Sequence, residues 1–78
     1  MRAARIPIDW PMCITRIRNR KRWSTRALGS AIGTSHTTIS MIERDMMKEP
    51  GFTVGLRLLD LHLEVCPAEH ASLIKAAA

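Results

Sequence analysis

Trp23-Ser24-Thr25-Arg26-Ala27-Leu28-Gly29-Ser30-Ala31-Ile32-Gly33-Thr34-Ser35-His36-Thr37-Thr38-Ile39-Ser40-Met41-Ile42-Glu43-Arg44 is the stretch on which the reading of the chain turns. It reads as two short helices joined by a tight turn. Ser24 is suited to the first N-cap, where its hydroxyl can accept an orphan backbone N–H of the opening turn. Ala27, Leu28, Ala31 and Ile32 then recur at helical spacing and form one apolar face. Gly33 is expected to end that helix, because the residue after a helix end often takes a left-handed backbone that glycine adopts at low cost. Ser35 is a second N-cap. Ile39 and Ile42 follow on a narrow inner stripe, while His36, Thr37, Ser40, Met41 and Arg44 lie on the opposite face.

Two helices joined by a short turn containing glycine form a helix-turn-helix, whose second helix can enter a DNA major groove. The run Leu28-Gly29-Ser30-Ala31-Ile32-Gly33-Thr34-Ser35, followed by Thr38-Ile39-Ser40 and Ile42-Glu43-Arg44, resembles the Cro/cI-type (lambda-repressor-like, XRE) DNA-binding domain. The likeness follows that family's order of Leu-Ala, Gly-x-Ser, Ile-Ser and Ile-Glu, and covers both helices and their turn. It implies an all-α, five-helix lambda-repressor-like bundle with its motif at 24–44. Three positions depart from the pattern. Thr25 stands where the family usually has a phosphate-binding Gln. Gly29 replaces the small Ala at the helix crossing, at roughly 1 kcal/mol of helix propensity. Asp45 replaces the Gly that ends the recognition helix, which predicts a longer or differently shaped end.

The resemblance assigns base reading to His36, Thr37 and Met41. His36 can donate to a purine N7, Thr37 offers a hydroxyl and a methyl, and Met41 suits a thymine methyl. Thr34, Ser35, Thr38, Ser40 and Arg44 are expected to contact the DNA backbone. Ser24, Thr25 and the first-turn amides are placed to grip a phosphate, since a helix N-terminus presents free N–H groups and a positive dipole. Arg20 and Arg22 are expected to add phosphate contacts. No Arg–guanine or Gln–adenine pair is available, which predicts modest base specificity and a strongly salt-dependent affinity. The resemblance also pairs Arg18 with Glu43, where a guanidinium fork can tie the first helix to the recognition helix.

Composition agrees with a polyanion partner. The net charge is +5 and the pI about 10.3. Arg16, Arg18, Arg20, Lys21, Arg22 and Arg26 cluster, while most acids come from Asp45 onward. At 78 residues the chain holds one small domain, with no room for a substrate domain or a separate oligomerisation domain. No run is long and apolar enough to span a bilayer, and the N-terminus has no apolar core of a signal peptide. The expected location is the bacterial cytoplasm, at the nucleoid. Cys13 and Cys66 form no CxxC and are expected to be ordinary thiols, with a disulfide left open by sequence.

Outside the motif, residues 1–8 read as a basic arm. Arg2 and Arg5 could follow phosphates or a minor groove, against the alternatives of a frayed end or a strand pairing across a dimer. The domain proper is expected over 9–78. Asp9 caps a first helix running to about Lys21, with Trp10, Cys13, Ile14 and Ile17 inside and Arg16, Asn19 and Arg20 outside. Met46 and Met47 are expected at the core edge. Pro50-Gly51 marks a loop. The fourth helix, about 52–63, carries two apolar stripes. One is Phe52, Leu56, Leu59 and Leu63. The other, Val54, Leu58, Leu61 and Val65, is expected to meet the fifth helix, another subunit or both, and is the candidate dimer surface. A fifth helix is expected from Pro67 to the terminal alanines, anchored by Leu73 and Ile74.

The acids show no paired spacing for acid/base chemistry, and no phosphate-cradling glycine loop is present. His62, Cys66 and His70 recur every fourth residue, but Pro67 interrupts them and a fourth ligand is missing, so no metal is expected. No catalysis and no cofactor are expected. The expected function is a sequence-specific regulator of transcription that binds double-stranded DNA, of the Cro-like phage or prophage repressor kind, acting as a homodimer on a pseudo-palindromic operator. The alternative is an antitoxin or adaptor that binds a protein partner and autoregulates its operon. No membrane partner is expected.

Overall fold

The computed structural model describes residues 7–47 and 49–74. Arg2 and Arg5, most of the 1–8 arm and the terminal alanines lie outside the described residues. The described chain is all-helical: α1 (Trp10–Lys21), α2 (Thr25–Ile32), α3 (His36–Glu43), α4 (Phe52–Val65) and a 3-10 helix (Pro67–Leu73). No described helix is long and apolar enough to cross a membrane.

Local chemistry accounts for most of the helix ends. Asp9, Ser24 and Ser35 cap α1, α2 and α3, each accepting a first-turn N–H at 3.1 Å. Three ends use left-handed residues: Arg22 (φ 58°), Gly33 (φ 78°) and Asp45 (φ 60°). Asp45 therefore takes the backbone conformation expected of the glycine it replaces. The Asp45 N–H donates to the Ile42 carbonyl at 3.0 Å and the Met46 N–H to the Met41 carbonyl at 2.8 Å. This double closure stops α3 at Glu43 rather than lengthening it.

The core lies where α1, α2, α3, α4 and the 3-10 helix converge. Cys13, Ile14, Ile17, Leu28, Ile32, Ile39, Ile42, Leu58 and Leu73 are buried together. Gly55 lets Trp10 lie on α4, since a Cβ there would sit 3.3 Å from the indole ring. Both cysteines are buried and free. Burial, then the neighbouring Cys66, pushes the Cys13 thiol up to about 12.

Three expectations are corrected. First, the stripe Val54, Leu58, Leu61, Val65 is the inward one. Leu58 is fully buried, Val54 and Leu61 pack against the core, and Val65 is half-buried. The outward stripe of α4 is Phe52, Leu56 and Leu63, while Leu59 packs partly against the core. Second, the segment after Pro67 is a 3-10 helix ending at Leu73, not an α-helix. Leu73 anchors it in the core, whereas Ile74 is exposed and its backbone bridges Ile8. Third, Ile8 belongs to the folded unit rather than to an arm, because of that bridge and the adjoining Asp9 N–H to Leu73 carbonyl bond of 2.7 Å. Met47 packs on the core as expected, but Met46 is exposed.

The 3-10 helix is also held by a histidine pair. His62 on α4 is fully buried, and its Nδ1 lies 2.9 Å from Nδ1 of His70. One nitrogen must donate and the other accept, so a second proton at this contact would break it. The Nε2 of His62 is buried with no hydrogen-bond partner among the described residues. Burial, then His70, then Arg16 hold the His62 pKa below its ordinary value. The unfolded chain therefore takes up the proton first as pH falls. Stability from this site is complete above about pH 6.5 and declines below it. Urea unfolding from pH 7.5 to 5 should show that loss, and His62→Phe should flatten the profile. An unchanged slope in the variant would remove His62 as its cause.

Candidate nucleic-acid interface

The connection from α2 to α3 is only Gly33-Thr34-Ser35, and it is drawn tight against α2. The Thr34 N–H donates to the Gly29 carbonyl at 2.8 Å. A Cβ on Gly29 would lie 2.7 Å from the Thr34 carbonyl oxygen. Glycine at this position thus permits an approach closer than alanine would allow without a shift. The far end of α2 is closed by Arg57 of α4, whose Nη1 donates to the Ile32 carbonyl at 2.9 Å.

α3 is pinned on one side and open on the other. Ile39 and Ile42 are fully buried. Glu43 accepts from Arg18 Nη1 at 2.6 Å and from the Thr15 hydroxyl at 3.2 Å. Arg18 Nε also donates to the Trp23 carbonyl at 3.1 Å, so one guanidinium joins α1, the α1–α2 connection and α3. The pair expected from the resemblance is therefore formed. On the open side His36, Thr37 and Arg44 are exposed, and Ser40 and Met41 are half-buried. None of these five side chains has a hydrogen bond or ion pair among the described residues.

The helix starts differ in what they leave for a ligand. At α1 the Trp10 and Met12 amides are bonded and Pro11 has none, so nothing is free. At α2 Ser24 takes the Ala27 and Leu28 amides and leaves those of Thr25 and Arg26. At α3 Ser35 takes those of Thr38 and Ile39 and leaves His36 and Thr37. α4 begins at Gly51 with no side-chain cap, leaving the amides of Phe52, Thr53 and Val54. Free amides at the positive end of a helix dipole favour anions. Gly51 is legible in the sequence as a possible N-cap, and because a glycine cap brings no side-chain oxygen it is also the signal for the free amides at the start of α4.

The other expected contacts divide. The Ser35 and Thr38 hydroxyls lie 3.0 Å apart and bond to each other, so only one of their two protons is left for a phosphate. Thr25 and Thr34 are half-buried, Ser24 and Arg22 exposed. The basic cluster is half internal. Arg16 is bound to Glu69 and Ser72, Arg18 to Glu43, and Arg20 to Glu69 Oε1 at 2.5 Å. Lys21 lies over the Trp23 ring at 5.3 Å. Arg20 is therefore engaged with the 3-10 helix rather than free for DNA. Arg22, Arg26 and Arg44 are the exposed arginines without an internal partner among the described residues. No group of three or more metal-ligating side chains occurs among the described residues.

No family model, curated protein or solved structure matches the chain.

Proposed function

We propose that this chain is a sequence-specific regulator that binds double-stranded DNA through a lambda-repressor-like helix-turn-helix, with α3 as its recognition helix. The observation that carries the reading is the state of α3. Its inner residues and its end are held by the core and by Arg18, while its outer face of His36, Thr37, Ser40, Met41 and Arg44 has no hydrogen-bond or ion-pair partner among the described residues. A short helix pinned by the core, with an uncommitted polar face and with free amides at the starts of α2 and α3, suits a major groove and its flanking phosphates. His36, Thr37 and Met41 read bases. Ser24, Thr25, Arg22 and Arg44 hold the backbone. The expected assembly is a homodimer on a pseudo-palindromic operator, with recognition helices about 34 Å apart.

The test is selection from a random duplex library at two salt concentrations, with the complexes sized. A palindromic consensus bound by two chains supports the reading, and binding without a consensus rejects it. Thr37→Ala with Met41→Ala should flatten the sequence preference. Charge variants add a second measure. Arg22→Ala and Arg44→Ala should each lower the slope of log affinity against log salt by about 1. Arg20→Ala should leave that slope unchanged, because Glu69 already holds this arginine. The exposed apolar side of α4 favours a second reading, an adaptor for another protein.

A further inference from the structure

The 3-10 helix covers charge as well as core. Its Glu69 carboxylate accepts from Arg20 Nη2 at 2.5 Å and lies 3.5 Å from Arg16 Nε. Arg16 Nη1 also donates to the Glu69 carbonyl at 3.2 Å and to the Ser72 hydroxyl at 2.8 Å. One segment thus engages two cations of α1, and Arg20 stands two residues before the exposed Arg22. On its other side the segment is tied to α4 by the His62–His70 contact of 2.9 Å. That contact counts protons. With one N–H between them the two Nδ1 atoms attract, even when His70 is charged through its other nitrogen. With both rings charged, each Nδ1 carries a proton, and two donors and two like charges meet. The groups around His62 do not relieve this. Arg16 and Arg20 oppose a proton on it, and Glu69, which favours one, is shared between those arginines. The buried Nε2 has no acceptor among the described residues. Once the segment is released, His62 titrates at its ordinary value, so protons favour release below about pH 6.5 and closure above it.

We propose that the 3-10 helix Pro67–Leu73 is a proton-released mask on α1. Charging both histidines frees the segment from α4, Glu69 leaves with it, and Arg16 and Arg20 join Arg22 in holding the phosphates of a DNA duplex. At neutral pH the mask is closed and these two cations are spent internally. The opening is local, at the end of the described chain, and leaves the α2–α3 unit folded. The unmasking rests on the DNA reading proposed above, whereas the latch is tested without DNA, so the two can fail separately.

Amide hydrogen exchange of the full chain, read by NMR from pH 7.5 to 5, tests the latch. The Asp9 N–H donates to the Leu73 carbonyl and so reports the closed segment. Its protection, relative to the intrinsic exchange rate at each pH, should fall by about tenfold per pH unit below pH 6.5. It should also lie at least about tenfold below the protection of the α3 amides, because the segment opens without the rest. The fall should vanish in His62→Phe and in His62→Gln. The first variant leaves His70 without its partner and the second restores a neutral one, so agreement between them assigns the effect to the proton rather than to packing. Equal protection at Asp9 and in α3 throughout, or a fall that persists in both variants, would overturn the latch. The mask is then read on a random-sequence duplex. Arg20→Ala should leave the slope of log affinity against log salt unchanged at pH 7.5 and lower it by about 1 at pH 5. In the His62→Gln background it should be silent at both. A changed slope at pH 7.5, or an unchanged one at pH 5 in a chain whose latch opens, would overturn the unmasking.

Discussion

Replacing Gly29 by valine is expected to lower the melting temperature by roughly 15 °C. A β-carbon at this position meets backbone: the Thr34 carbonyl oxygen at 2.7 Å, the Ser35 carbonyl carbon at 3.2 Å and the His36 nitrogen at 3.3 Å. Backbone cannot turn aside as a side chain can, so the turn and the start of α3 must move. That movement pulls on the Thr34 N–H to Gly29 carbonyl bond. Overpacking of this kind costs about 1–3 kcal/mol, and a β-branched residue belongs at the upper end. At about 4–8 °C per kcal/mol for a domain of this size, the shift is large. Alanine gives a sharper comparison. Helix propensity favours it over glycine by about 1 kcal/mol, and steric contact opposes it by at least as much. Thermal unfolding of Gly29→Ala should therefore show no gain, and a clear rise in melting temperature would mean that the turn yields freely.

Arg18→Ala is expected to cost about 2 kcal/mol, or roughly 10 °C. The side chains of Arg18 and Glu43 are 31% and 24% exposed, between the surface pairs that contribute little and the buried pairs whose disruption is severe. What raises the figure is connectivity. Removing the guanidinium leaves a carboxylate that, among the described residues, is otherwise held by Thr15 alone, and deprives the Trp23 carbonyl of its Arg18 donor. Arg18→Lys should retain the charge but lose the two-point geometry, recovering about half of the loss. Adding Glu43→Ala to Arg18→Ala should cost less than the sum of the two single changes, because the second removes the stranded charge. Strict additivity in that cycle would show that the two side chains do not act together.

Local signals made the first three helices readable. Asp9, Ser24 and Ser35 announce α1, α2 and α3, and each cap depends on atoms three residues away. Gly33 is equally local. The orientation of α4 was not readable from its stripes, because both are apolar throughout and their periods are the same. Gly55 held the missing clue. It lies on the inward side, where a small residue admits Trp10. The fate of the basic cluster was hidden for another reason. Arg16 and Arg20 meet Glu69 across a separation in sequence that no short-range pattern encodes. The same distant contacts, with Leu73 entering the core, pack the last segment as a 3-10 helix where alanine-rich composition suggested an α-helix. In the candidate interface, residue identities on α3 were legible, but the mutual bond of Ser35 and Thr38 depends on the turn's conformation.

The bridge between Ile8 and Ile74 sets a schedule for biosynthesis. Ile8 leaves the ribosome among the first described residues, and its partner is the last of them. At about 5–20 residues per second, several seconds separate the two. During that interval the apolar side of α1, with Cys13, Ile14 and Ile17, has no Leu58 or Leu73 to cover it. The α2–α3 unit is local and can assemble while translation continues. The closure of the bundle over α1 then waits for Leu73, and until it emerges only α2 and α3 can cover that apolar side.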